Sequence, residues 1–372
     1  MDIWKDLREE FPVCKDYVYL NAAGGSPISA SAANQAKRYY DEMLIHGDNL
    51  YEEWLDHTEE VRSSVAEYIG AEKQEIAFTT NTSHGMNLIA LMNKNKGTVL
   101  TMHHEFPSST FPWLNQGVKL RMVKPENGFE YPIEKIIENL TPDVKILMTS
   151  YVQYCTGFRQ DLEALGKLCK ERNLIFVVNA TQAIPVLPVD VKKCNIDFLV
   201  FTGLKWATAG YGIGGLYINK KWLGKLPFAG WLSTEQPENV DNLNFKAEKR
   251  ASVVESGCPH FAPIFALGGA LSLFNRIGRK NVTDHVLKLT KYLHQQLQTM
   301  NIEIASPSEI SQMSGITIIR SDNAPYVVSM LKKEKIIISS RGEGIRVSVN
   351  IFNNENDIDT FISALRKIEN IV

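Results

Sequence analysis

The chain has 372 residues, 44% of them hydrophobic and 22% charged, with a formal net charge of −2 at pH 7. With no basic stripe or charge run, this balance excludes nucleic acid and anionic membrane surfaces as expected partners. No apolar run approaches the roughly 18 residues a membrane span needs. The length suits one large domain with a smaller companion. The opening, Met1-Asp2-Ile3-Trp4-Lys5-Asp6, has no signal pattern. The cysteines at 14, 155, 169, 194 and 258 are odd in number, widely spaced and never CxxC. That usage predicts free thiols in a reducing cytoplasm and no metal site.

Residues 1–19 read as a short leading segment. Small residues and a proline then punctuate Tyr19-Leu20-Asn21-Ala22-Ala23-Gly24-Gly25-Ser26-Pro27 ahead of a helix. Apolar spacing at i, i+3, i+4 predicts helices over 28–45 and 51–69. Seven short apolar runs follow, at Ile76–Thr79, Thr98–Met102, Val118–Val123, Lys145–Ser150, Leu174–Asn179, Asp197–Phe201 and Gly214–Asn219. Helical stretches such as Ser83–Met92 and Asp161–Asn173 separate several of them. Continuously apolar strands alternating with helices predict a largely parallel sheet covered on both faces, an α/β fold. Residues 220–260 are irregular, and one long helical region is expected over about 261–300. A smaller α+β unit closes the chain, with strands at Gly315–Arg320, Lys335–Ser339 and Ile345–Val349 and helices near 324–334 and 356–370.

Open sheets of this kind bind ligands at the carboxyl ends of their strands, so the residues that follow each strand carry the functional reading. Thr80-Asn81-Thr82-Ser83-His84-Gly85 opens a helix and suits an anion, or equally a plain cap. His103-His104-Glu105-Phe106-Pro107-Ser108-Ser109 follows the second strand, and Tyr151-Val152-Gln153-Tyr154-Cys155-Thr156-Gly157 the fourth. The fifth ends in Asn179-Ala180-Thr181-Gln182, the sixth in Thr202 and Lys205. One crevice thus collects phosphate ligands, an aromatic platform, ring-edge polar groups and an amine. A lysine at a strand end between two apolar runs is placed to be a buried, Schiff-base-forming amine. Gly210-x-Gly212-x-x-Gly215 formally fits a dinucleotide fingerprint, but it opens a strand where that fingerprint opens a helix. Those glycines are expected to let the backbone pass close to Lys205.

From Tyr19 to Asp359 the sequence resembles the class V aminotransferase family of fold-type I pyridoxal-phosphate enzymes. That family includes cysteine desulfurases, kynureninases and isopenicillin-epimerase-like proteins. The resemblance is carried by Asn179-Ala180-Thr181-Gln182-Ala183-Ile184, by Thr202-Gly203-Leu204-Lys205, and by Ile345-Arg346-Val347-Ser348 with Phe352-Asn353-Asn354. Val152-Gln153-Tyr154-Cys155-Thr156-Gly157, Phe106-Pro107-Ser108 and Gly230-Trp231 look most like kynureninase. The resemblance implies a seven-stranded, mostly parallel sheet in a large cofactor domain (20–260), a small α+β domain (261–372) and an N-terminal segment (1–19) joined to the latter. It implies pyridoxal 5'-phosphate as cofactor, an α-amino acid as substrate and a homodimer with active sites at the interface. Lys205 would hold the cofactor as a Schiff base and later move the substrate's α-proton. Thr82, Ser83 and Thr202 would bind the phosphate, with Trp231 from the neighbouring subunit. Gln182 would bond the ring's phenolic oxygen, Phe106 would stack on the ring, and Arg346 would clamp the α-carboxylate. Asn21 would approach the substrate from the N-terminal loop.

Two departures stand out. The family has an aspartate at the ring nitrogen where this chain has Asn179, so the amide offers no charge to hold a pyridinium. A weaker electron sink is the expectation. The persulfide cysteine that desulfurases carry before the C-terminal arginine is also missing, because residues 320–345 contain no cysteine. Cys258 is expected to be a buried thiol serving as a small hydrophobe. These features place an aminotransferase or epimerase first and a kynureninase-like β-carbon lyase second. Third comes a cofactor-binding pseudoenzyme, suggested by Asn179, while cysteine desulfurase is disfavoured. Loops 46–54 and 228–245 are expected to shape side-chain specificity.

Overall fold

A computed structural model describes residues 3–224, 227–237 and 243–368. Helix α1 (Ile3–Arg8), strand β1 (Val18–Tyr19) and helices α2 (Ala30–His46) and α3 (Tyr51–Ile69) lead into the main sheet. Its strands are β2 (Ile76–Thr79), β3 (Thr98–Met102), β4 (Leu120–Val123), β5 (Val144–Ser150), β6 (Ile175–Asn179), β7 (Phe198–Thr202) and β8 (Gly214–Ile218). Helices α4 (Thr82–Asn93), α5 (Pro107–Asn115), α6 (Ile133–Glu138) and α7 (Leu162–Glu171) alternate with them. Then come α8 (Phe261–Ile277), α9 (Arg279–Gln298), β9 (Ile316–Arg320), α10 (Ala324–Lys333), β10 (Ile336–Ile337), β11 (Ser339–Arg341), β12 (Gly344–Ser348) and α11 (Glu355–Leu365).

All seven expected strands form one sheet, ordered β2-β8-β7-β6-β5-β3-β4. Strands β7, β6, β5, β3 and β4 run parallel, and β8 is antiparallel to both its neighbours. Every residue of β2, β3, β7 and β8 is buried. This is why their sequences read as unbroken apolar runs rather than alternating ones. Apolar clusters fill both faces of the sheet.

Helix starts follow their caps. The side chains of Ser29, Asn81, Asp161 and Asn354 each accept a backbone N–H from the first turn of α2, α4, α7 and α11 respectively. Helix α4 lies tight on the sheet, since a Cβ at Gly85 would come within 2.8 Å of Val200. A Cβ at Gly215 would sit 2.2 Å from the Phe201 ring, so the glycines before Leu216 serve close strand packing on β7.

The helical region expected over about 261–300 is there as two helices, bent by 83° where Gly278 (φ 89°) interrupts the chain. That conformation favours glycine and ends the helix. No single described helix is long and apolar enough to cross a membrane. The last expected helix ends at Leu365, and residues 369–370 of its predicted span lie outside the described residues, as do 238–242 of the 228–245 loop. Cys258 departs from expectation as well. It is exposed, whereas Cys14, Cys155, Cys169 and Cys194 are buried. It lies in the irregular stretch before α8, outside any strand or helix.

The C-terminal strands form a second antiparallel sheet, β11-β12-β9. The N-terminus is tied to this region. Strand β1 pairs in parallel with β10, and Arg8 holds Asp357 at 2.9 Å.

Candidate active site

The carboxyl ends of β3, β5, β6 and β7 and the N-terminus of α4 face the β11–β12 hairpin across a cavity of about 320 Å³. Eight of the ten expected site residues line it: Thr82, Ser83, Phe106, Asn179, Gln182, Thr202, Lys205 and Arg346. Residues separated by up to 264 positions in sequence meet because parallel crossovers return each strand to the same edge.

Lys205 is the chemical centre. Burial holds its amine far below the usual lysine range, at about 7, and the guanidiniums of Arg346 and Arg341 push in the same direction. Among the described residues it has no carboxylate partner, so near pH 7 a large share of it is the neutral, nucleophilic amine. Its Nζ lies 5.7 Å from the centroid of the Phe106 ring. That ring packs edge-on to Tyr154, with centroids 5.1 Å apart.

Arg346, 3% exposed on β12, donates from Nε to the Ser339 hydroxyl at 3.2 Å and from Nη1 to the Tyr154 carbonyl at 3.1 Å. No described carboxylate pairs with it, and burial lowers it to about 10. A buried guanidinium held by neutral acceptors in a cavity wall is built to receive an anion.

The amides on the sheet are pinned. Asn179 donates from Nδ2 to the Ser109 hydroxyl at 2.8 Å, and its Oδ1 accepts the Thr181 N–H at 3.0 Å. Gln182 accepts from the Trp206 indole at 2.8 Å and donates to the Ala23 carbonyl at 3.1 Å. Each amide therefore keeps one N–H hydrogen beyond these bonds. The Thr82 hydroxyl pairs with that of Thr181 at 2.6 Å, and Thr202 donates to the Ile213 carbonyl at 3.3 Å. At the start of α4 the first N–H groups have no intrahelical acceptor, which makes an anion site beside these hydroxyls.

Two expected residues are elsewhere. Asn21 sits behind the wall, its amide packed on Gly24 so closely that a Cβ there would meet Oδ1 at 2.6 Å. That Oδ1 has no hydrogen-bond partner. Trp231 is 55% exposed and does not line the cavity of its own chain. The structure adds Tyr154, Thr181, Tyr211, Ser150 and Arg341 to the lining. Tyr154, Thr181 and Arg341 stand inside stretches singled out from the sequence, and the β11–β12 hairpin brings Arg341 to the cavity.

The sequence profile of the class-V aminotransferases matches residues 18–361. The chain belongs to that family. Similar proteins include a probable cysteine desulfurase of Pyrococcus abyssi, 27% identical over 99% of this chain and 98% of its own length. A kynureninase of Shouchella clausii is 24% identical over 97% and 90%. The apo structure of a cysteine desulfurase from Thermococcus onnurineus superposes with a TM-score of 0.90 at 24% identity, covering 99% of this chain and 98% of that one. This likeness carries the fold, a fold-type I architecture with a mostly parallel central sheet. The class-V family's cofactor is pyridoxal 5'-phosphate. The cavity fits that group on its own chemistry, having a neutral buried amine, a helix N-terminus beside hydroxyls, and an unpaired arginine for a substrate carboxylate.

Proposed function

We propose that this class-V protein is a pyridoxal-phosphate enzyme acting on an α-amino acid, as an aminotransferase or epimerase. One observation carries the reading: a buried amine and a buried arginine share a cavity, neither with a carboxylate partner among the described residues.

When bound, pyridoxal phosphate supplies an aldehyde for an amine and a ring that withdraws electrons from the α-carbon. Lys205 would hold the cofactor's aldehyde through its amine and, once the substrate's amine had displaced it, would take and return a proton at the substrate's α-carbon. Thr82, Ser83 and the N-terminus of α4 hold the phosphate, with Thr202 turning its hydroxyl from Ile213. Trp231, exposed on its own chain, reaches the phosphate of the partner in a homodimer. Gln182 donates to the ring oxygen. Arg346 fixes the α-carboxylate, and Phe106 closes the opposite wall with a surface that carries no proton. A single proton carrier on one side favours transamination, which needs no second base.

The edge-on Tyr154 beside Phe106 supports a second reading, cleavage at the β-carbon, because its phenol is an acid near the substrate side chain. Cysteine desulfurase chemistry is disfavoured, because residues 320–345 contain no cysteine. Cys155 is buried, with its thiol pushed up to about 12 by desolvation, and it does not line the cavity.

The test is visible absorbance of the purified protein with added pyridoxal phosphate, followed by amino-acid titration and assay of oxo-acid acceptors. Wild type should take up the cofactor through Lys205, and Lys205→Ala should lose the covalent attachment. A protein that never binds the cofactor sinks the reading. One that binds it but responds to no amino acid is a pseudoenzyme.

A further inference from the structure

The cavity holds more positive charge than the proposed reaction uses. Lys205, Arg341 and Arg346 all line it, and among the described residues no carboxylate does. In the reading above, the N-terminus of α4 and its hydroxyls serve the cofactor's phosphate, and Arg346 serves the substrate's α-carboxylate. Arg341 is left as a cation without an assigned anion.

The register of the small sheet fixes where that cation stands. Across the β11–β12 hairpin Ser339 pairs with Arg346, and Arg341 with Gly344. Side chains two apart on a strand share a face, so Ser339, Arg341 and Arg346 project from the same one. That face is the cavity's, since both arginines line it and Arg346 donates to Ser339 at 3.2 Å. The two arginines are diagonal neighbours there, with backbones roughly 7–8 Å apart. Gly344, opposite Arg341, offers it no side chain to pack against.

The turn that carries Arg341 is closely seated. A Cβ at Gly342 (φ 61°) would lie 2.4 Å from the Cys155 carbonyl oxygen, next to the Tyr154 carbonyl that accepts from Arg346. One N–H of the Arg341 guanidinium goes to the neighbouring Ser340 carbonyl at 2.8 Å, and the rest have no acceptor among the described residues. Two guanidiniums on one sheet face repel unless an anion lies between them. Beyond burial, the charge of Arg341 also depresses Arg346 and, after Arg346, Lys205.

We propose that Arg341 recognises a carboxylate at the end of the substrate's side chain, so that the enzyme acts on dicarboxylic α-amino acids of the aspartate or glutamate kind and on the matching oxo acids. A planar guanidinium grips a carboxylate through two parallel N–H bonds. The neutral isosteres, asparagine and glutamine, leave the charge unmatched and turn an NH₂ donor toward it. Phe106 and Tyr154, packed edge-on in the same lining, give the side chain's methylene groups an apolar wall.

This inference rests on the proposed amino-acid reaction, and the experiment separates the two. Holoenzyme of wild type, Arg341→Met and Arg341→Lys is assayed for amino-group transfer with aspartate, asparagine, glutamate and glutamine. Calorimetry reads the binding of succinate and glutarate against butyrate, none of which carries an amine. In wild type, kcat/KM for the better acid should exceed that for its amide about 10-fold or more. Arg341→Met should erase that ratio, chiefly by raising KM for the acid, and Arg341→Lys should restore part of it. The better diacid should bind wild type about 10-fold tighter than butyrate, a margin that Arg341→Met removes. A wild type that prefers the amides overturns the inference, as does a preference for the acids that survives Arg341→Met. Weakened cofactor binding in Arg341→Met would make Arg341 a phosphate ligand and would also overturn it. A wild type that reacts with no amino acid sinks the proposed function instead, and the diacid binding margin still decides for or against Arg341.

Discussion

The Nζ of Lys205 stands 5.7 Å from the centre of the Phe106 ring, with no carboxylate on either side of the amine among the described residues. An aromatic face is a weak partner for a cation and does not replace water around it. The neutral form is therefore favoured, and the cost of burying the charged form falls on the fold.

The sign of that cost follows from linkage. The Lys205 amine drops from the ordinary lysine value of 10.5 to about 7 on folding, so between those values the unfolded chain binds more protons and stability rises with pH. The penalty is complete below about 7 and gone above 10.5. Lys205→Met should raise the unfolding free energy of the cofactor-free protein at neutral pH, by up to roughly 4 kcal/mol. The gain should fade as pH approaches 10.5. Reductive amination of Lys205 by a simple aldehyde should titrate near pH 7; a midpoint near 10 contradicts the buried-amine account.

Arg346 lies buried without a counter-charge, held by Ser339 and a carbonyl. Arg346→Met should leave folding intact or improved, because an unpaired buried charge is removed. It should raise KM for amino acids about 10- to 100-fold, the worth of a charge-assisted hydrogen-bond pair. Arg346→Lys should recover only part, since an ammonium lacks the planar fork. An unchanged KM would exclude carboxylate binding here.

Arg62 is the main buried ion of the large sheet's edge. It pairs with Glu255 and with Glu59 at 2.8 Å, and it donates to the Ile76 carbonyl at 3.1 Å. Glu255 in turn accepts the Phe78 N–H of edge strand β2 at 2.7 Å. Arg62→Met should cost about 3–5 kcal/mol by stranding Glu255, measured by urea unfolding at pH 7. The double change Arg62→Met, Glu255→Gln should cost less than the sum of the single changes.

Cys258 is the exposed thiol, and the other four are buried. Desolvation holds Cys14 and Cys194 at about 11 and Cys155 at about 12. A thiol reagent at pH 8 should label one cysteine rapidly in the native protein and all five after denaturation. Cys258→Ser should abolish the fast phase without loss of activity.

The seven sheet strands were legible because strands covered on both faces carry unbroken apolar runs, as in Phe198-Leu199-Val200-Phe201. The residues after them were legible as a site because parallel strands deliver their carboxyl ends to one edge. That rule brings Lys205, Asn179 and Gln182 to one edge, and the family resemblance supplied their expected roles. Arg341 was not legible as part of the lining, because its arrival depends on the β11–β12 turn and on how the second sheet seats over the first. The exposure of Cys258 was hidden for a similar reason, since its surroundings come from packing of an irregular segment. Gly278 was visible as a glycine, but only the observed backbone showed that it divides α8 from α9.

The sequence alone determined the strand count, the parallel α/β class, the lysine at a strand end and the amide at position 179, because each follows from local residue pattern. Tertiary structure decided the strand order, the antiparallel insertion of β8, the neutral partners of Arg346 and the hydrogen bond from Asn179 to Ser109. Those depend on long-range register and on which donors meet in a desolvated space. Hydrogen-bond polarity of that kind exists only once distant strands are side by side.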